Sequence, residues 1–116
     1  TGIIVRSKIK DVAGEFNVAA EVFMELDRIA EDLIRQAVKR ADGNGRRTLH
    51  AKDVFVGKMD AKNMIVVVSR IKEFVETHNV SGDFADALNE KIISFISEGI
   101  QRAKANGRRT LQARDL

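Results

Sequence analysis

The chain has 116 residues, 44% of them hydrophobic and 32% charged, with no cysteine and no proline. This size suits one cooperative unit and this composition a soluble globular protein, while the missing cysteines exclude a disulfide framework, a thiolate nucleophile and a cysteine-based zinc site. Twenty Lys+Arg against seventeen Asp+Glu leave only +3, so a polyanionic partner has to be argued from where the cations sit.

The sequence VRSKIKDVAGEFNV, residues 5–18, is expected to open with a short helix and run into a loop. A long amphipathic helix follows. Val22, Leu26, Ile29, Leu33, Ala37 and Ala41 recur every three or four positions, and Phe23, Ala30, Ile34 and Val38 widen the stripe. Such a helix runs for about six turns at 3.6 residues each. Asn44-Gly45 supplies the left-handed residue that ends helices, and Arg40 sits near the negative end of the dipole. The loop NGRRTLHAKD, residues 44–53, leads into a third, short helix expected to continue through VFVGKMDAKN. A five-residue apolar run at 64–68 is far too short to span a bilayer, and the N-terminus lacks a secretory pattern, so a cytoplasmic protein is expected.

From there the pattern starts again. Shifting the chain by 62 residues lays residues 5–54 on 67–116 without a gap, with 18 of the 50 positions identical. NGRRTLHAKD returns as NGRRTLQARD, and VRSKIKDVAGEFNV faces VVSRIKEFVETHNV. The second long stripe is Phe84, Leu88, Ile92, Phe95, Gly99 and Ala103, widened by Ile93, Ile96 and Ile100; Asp83 favours the start of its helix, and Arg102, Lys104 and Asn106-Gly107 its end. The repeat implies an all-α protein made of two copies, residues 1–60 and 61–116. Each apolar face is too broad for about fifty residues to cover alone, so the two copies are expected to bury their faces against each other.

Competing motifs fail on the same residues. DGNGRRTLHAKD has the length of a calcium loop, but its sixth position, which needs glycine, is Arg47, and the second copy starts with Lys104. No phosphate-binding loop, clustered histidines or paired carboxylates appear, so neither enzyme chemistry nor a cofactor or metal is expected. His50 and His78 read as isolated, solvated histidines, and the six phenylalanines as core.

Short, long and short helices with RRTLHAKD between the second and third resemble the histone fold of archaeal and bacterial histones. The resemblance covers nearly the whole chain, twice, and implies a histone doublet whose two folds clasp head to tail in a single chain. It implies double-stranded DNA as partner, bound largely without sequence specificity, and a nucleoid-associated role. Arg46 and Arg108 match the arginines that clamp the aspartate of the third helix, here Asp53 and Asp115. Arg47 and Arg109, with Thr48 and Thr110, match positions presented to DNA phosphates; the threonine hydroxyls have a second reading as caps of the third helices. Lys8 and Arg70 match a basic residue reaching into the minor groove near the centre of the pair, and Lys10 and Lys72 follow. Asn17 and Asn79 stand where many archaeal members carry a basic residue, so a weaker dependence on salt is expected. Gly43 and Ala105 replace a histidine that joins dimers to dimers, and the second copy has hardly a turn of third helix, so its end is expected to be a poor assembly surface. The competing reading is a histone-fold scaffold for protein assemblies with little DNA binding.

Overall fold

A computed structural model of the chain describes residues 2–55, 57 and 64–116. Its elements are α1 (Arg6–Ala13), β1 (Asn17–Val18), α2 (Ala20–Gly43), β2 (Thr48–Leu49), a 3-10 turn (Ala51–Asp53), α3 (Val68–Val75), β3 (Asn79–Val80), α4 (Gly82–Ala105), β4 (Thr110–Leu111) and a second 3-10 turn (Ala113–Asp115). The protein is thus mostly helical, built on two 24-residue helices.

Those helices form where the apolar period demands them, although the buried line differs from the expected one. Val22, Leu26, Ala30, Ile34, Ala37 and Ala41 are buried on α2, whereas Ile29 and Leu33 lie at its flank. On α4 the line runs through Phe84, Leu88, Ile92, Ile96, Gly99 and Ala103, with Phe95 half-buried. In both helices the single three-residue step falls later along the line than expected, at Ile34–Ala37 and Ile96–Gly99. Both helices stop as expected. Gly45 and Gly107 take φ of 67° and 69°, a region open to glycine, and Arg46 N and Arg108 N return to Ala41 O and Ala103 O at 2.8 and 2.9 Å.

Among the described residues the third helix of the first half is shorter than expected: it is one 3-10 turn, and Val54, Phe55 and Gly57 continue no helix. Residues 56 and 58–63, where the rest of VFVGKMDAKN and the boundary at 60/61 fall, lie outside the described residues. The second half has one 3-10 turn, hardly a turn as expected. The Asp53 carbonyl accepts Arg40 Nη1, and the Asp115 carbonyl accepts Arg102 Nη1 at 2.6 Å, which ties each turn back to the end of its long helix.

Two parallel strand pairs and one antiparallel bridge tie the halves together. β1 pairs with β4, Asn17 opposite Thr110 and Val18 opposite Leu111; β2 pairs with β3, Thr48 opposite Asn79 and Leu49 opposite Val80. Between them Ile4 faces Val66, with Val5 N bonded to Ile65 O and Val67 N to Ile3 O, both at 2.8 Å. Adding 62 to one member of each strand pair gives the other pair, and Ile4 and Val66 exchange. The pairing therefore has the symmetry of the sequence repeat.

Two polar side chains support this centre, Asp27 and Asn89, which occupy the same repeat position. Asp27 Oδ1 accepts Ile4 N at 2.9 Å, and the buried Asn89 Oδ1 accepts Ile65 N at 2.7 Å. A buried amide without an acceptor costs about 1–3 kcal/mol, so these carbonyl-type oxygens let the apolar bridge sit inside. One core results. Ile4, Ile9, Leu26, Ile34, Leu49, Ile65, Ile71, Leu88, Ile92 and Leu111 belong to it, drawn from both halves.

Candidate nucleic-acid interface

Each long helix ends in a loop whose two arginines point in opposite directions. Arg46 turns inward, its Nη1 and Nη2 donating to Asp53 Oδ2 and Oδ1 at 3.0 and 2.7 Å, and Nη1 also to Thr48 O at 3.1 Å. Arg108 does the same with Asp115 at 2.8 and 2.7 Å. A planar fork against a carboxylate is the strongest ion-pair geometry a side chain offers, and both aspartates are only 2% exposed. His50 N and Gln112 N complete the carboxylates at 2.9 and 2.8 Å. The hydrogen bonds from Arg46 and Arg108, then those backbone amides, hold both carboxyls below the usual aspartate range against the opposing effect of burial. With its oxygens so engaged, Asp53 is no ligand for a cation in the 42–53 loop.

Because Arg46 is held inward, the next side chain along an extended segment faces out. Arg47 and Arg109 are exposed. Arg47 Nη2 donates to Thr77 O at 3.2 Å, and Arg109 Nη2 lies 4.0 Å from Glu15 Oε2, a weak, solvent-screened contact. Thr48 and Thr110 are half-buried in β2 and β4, two residues before the positions that open the 3-10 turns, His50 and Gln112, so they are not caps of those turns.

The strand pairs decide which residues meet. Asn79 N donates to Arg47 O at 2.8 Å and Asn17 N to Arg109 O at 3.0 Å, so the exposed asparagine of one half stands beside the Arg-Thr of the other. Two three-residue groups result: Arg47, Thr48 and Asn79, and Arg109, Thr110 and Asn17. The first lies at the C-terminal end of α2 and the second at its N-terminal end. A 24-residue helix at about 1.5 Å per residue is roughly 36 Å long, which sets the separation of the groups.

Lys8 and Arg70 each occupy the third position of α1 and α3, and the Ile4–Val66 bridge places the starts of these helices side by side at the midpoint. Lys8, Lys10 and Lys72 are exposed; Arg70 is half-buried and bonded to Glu73 Oε2 at 3.2 Å, which offsets part of its charge. The structure therefore gathers the sequence candidates into a central set and two end sets.

Sequence reasoning missed Lys52 and Arg114, exposed cations one residue before each clamped aspartate. Their signal was the repeat itself, since both fall on one position of the 62-residue register. It also misread His78, whose side chain is only 9% exposed and not solvated: Nε2 meets Asp42 Oδ1 at 2.7 Å and Nδ1 meets Thr77 Oγ1 at 2.8 Å. Its partner lies 36 residues away and is delivered by the β2–β3 pairing. The phenylalanines are only partly core: Phe23 and Phe84 are buried, while Phe16 and Phe74 are half-buried under Lys104 and Arg35. No described helix is long and apolar enough to cross a membrane.

No protein-family model matches the sequence, and no curated protein matches it. Its structure is similar to the crystal structure of the histone from Methanopyrus kandleri, with a TM-score of 0.71 and 17% identity over 97% of this chain and 89% of that chain. At that identity the likeness speaks for architecture alone, and the architecture is plain: the chain has a histone fold.

Proposed function

We propose that the protein is a histone-like architectural DNA-binding protein, a tandem doublet whose two histone folds, residues 1–60 and 61–116, pair head to tail within one chain. The observation that carries this reading is the pair of outward arginines, Arg47 and Arg109, each beside a threonine and the other half's asparagine, at opposite ends of α2. Arginine donates two parallel hydrogen bonds to a phosphate and releases condensed counterions, while threonine and asparagine add neutral hydrogen bonds. Lys8, Lys10, Arg70 and Lys72 supply the centre, where cations in a narrow minor groove respond to its width and charge more than to base identity. The similar protein from Methanopyrus kandleri is named a histone, which agrees with this role.

The action is stoichiometric, without chemistry, in the cytoplasm on nucleoid DNA. Bending a short duplex costs on the order of 1–6 kcal/mol, a cost several phosphate contacts can offset, so the same contacts serve bending, bridging or coating. The test is a titration of unrelated duplexes at two salt concentrations. Affinities that agree across sequences and fall as salt rises are expected; a chain that leaves every duplex unbound at low salt is a protein scaffold instead.

A further inference from the structure

The repeat makes the two ends comparable position by position, and they carry different charge. Residues 14–21 with 102–115 form the Arg109 end, with five cations and three anions, a net of +2; residues 76–83 with 40–53 form the Arg47 end, with four of each, a net of zero. Glu15 and Glu76 balance each other across the ends. Within these segments the difference comes from one position, where Lys104 stands in the second half and Asp42 in the first. Lys39, one residue before the segment 40–53 and facing Gln101 in the repeat, narrows the difference without reversing it.

Both side chains are in place to matter. Asp42 is 62% exposed and held by His78 Nε2 at 2.7 Å, which fixes a carboxylate at the end of α2 near Arg47. At the other end phenylalanine replaces that histidine. Lys104 Nζ lies 5.8 Å from the centre of the Phe16 ring, and the two help line a cavity of about 480 Å³ together with Arg109 and Glu15. The aromatic face orients the ammonium without neutralising it, whereas a carboxylate partner would. A phosphodiester approaching Arg109 meets Lys104 as a second cation besides the exposed Glu15, whereas one approaching Arg47 meets the carboxylate of Asp42 with no cation at the position of Lys104. The Debye length, about 10 Å at 0.1 M salt, sets the reach over which these charges act on a bound phosphate.

We infer that the protein holds duplex DNA unequally, with the Arg109–Lys104 end as the anchor and the Arg47–Asp42 end as the weaker hold. The inference rests on the DNA-binding reading and gives it a direction. A single chain on DNA then has a tight end and a loose end, and releases the loose end first as salt rises.

The experiment compares Arg47→Ala and Arg109→Ala in the full chain on one duplex at 0.1 M salt, each also in a Lys104→Asp background. Lys104 is exposed, and thermal melts by circular dichroism verify that every variant folds. Arg109→Ala is expected to weaken binding at least about threefold more than Arg47→Ala, and Lys104→Asp to bring the two losses within about twofold of each other. Equal losses in the wild-type background, or a larger loss from Arg47→Ala, overturn the inference while leaving DNA binding intact. A persistent gap in the Lys104→Asp background overturns it as well, since another residue then sets the difference. Failure of the unaltered chain to bind any duplex is a separate result and removes the DNA-binding reading itself.

Discussion

Replacing Arg47 and Arg109 together with alanine is expected to lower duplex affinity on the order of 50-fold at 0.1 M salt and to reduce the salt slope by about 1.8. The size follows from counterion release: each phosphate contact contributes about 0.9 to the slope of log affinity against log salt, hence nearly one decade at 0.1 M relative to 1 M. Little stability should be lost. Both guanidiniums are exposed, and their contacts with Thr77 and Glu15 are a single surface hydrogen bond and a distant ion pair. Salt-dependent binding isotherms and a melting curve check both halves of this statement. The loss should be the same on unrelated sequences, because the contacts are to backbone and not to base edges.

The second large effect belongs to the inward arginines. Asp53→Ala should destabilise the fold by about 3 kcal/mol, since it leaves the Arg46 guanidinium without its carboxylate and the His50 amide without an acceptor. For a domain of this length that lowers Tm by roughly 12 °C. The same pair sets the response to acid. The carboxyls of Asp53 and Asp115 are depressed in the folded state, first by their arginine partners, so their contribution is fully present above the unfolded aspartate value, about pH 4. It is lost as pH falls through the folded values. Tm measured from pH 7 to pH 2 should therefore fall more steeply below pH 4 in the natural chain than in the Asp53→Asn, Asp115→Asn double variant.

Clamp and contact are linked through the chain. Arg46 and Arg47 are neighbours on an extended segment, so a guanidinium fixed inward fixes the next one outward. Rigid placement also matters for binding, because an arginine already oriented loses less freedom on meeting a phosphate. Two bidentate ion pairs thus aim two exposed side chains.

What could be read from sequence was whatever is written locally or repeated. The long helices follow from apolar periodicity, their ends from Asn-Gly, and the correspondence of the halves from the 62-residue register. Contacts made across the repeat left no local mark. Asp42 gives no hint of His78, and Asp27 looks like one more surface carboxylate of a charged helix, although it accepts the amide of Ile4. Arg40 and Arg102 looked like cations placed for the helix dipole, yet they bond the carbonyls of Asp53 and Asp115. Lys52 and Arg114 lie outside the Arg-Arg-Thr motif, and only their recurrence at one position of the 62-residue register marks them.

All of these effects depend on one chain closing on itself, so that β1 meets β4 and β2 meets β3 without a second molecule. Small-angle scattering with mass determination on the DNA-free protein tests this most directly. The account predicts a 12.9 kDa particle with a radius of gyration close to the 14.4 Å of the Cα trace, raised slightly by side chains and hydration. A monomer whose radius exceeds about 20 Å would contradict it, because the halves would then not be paired.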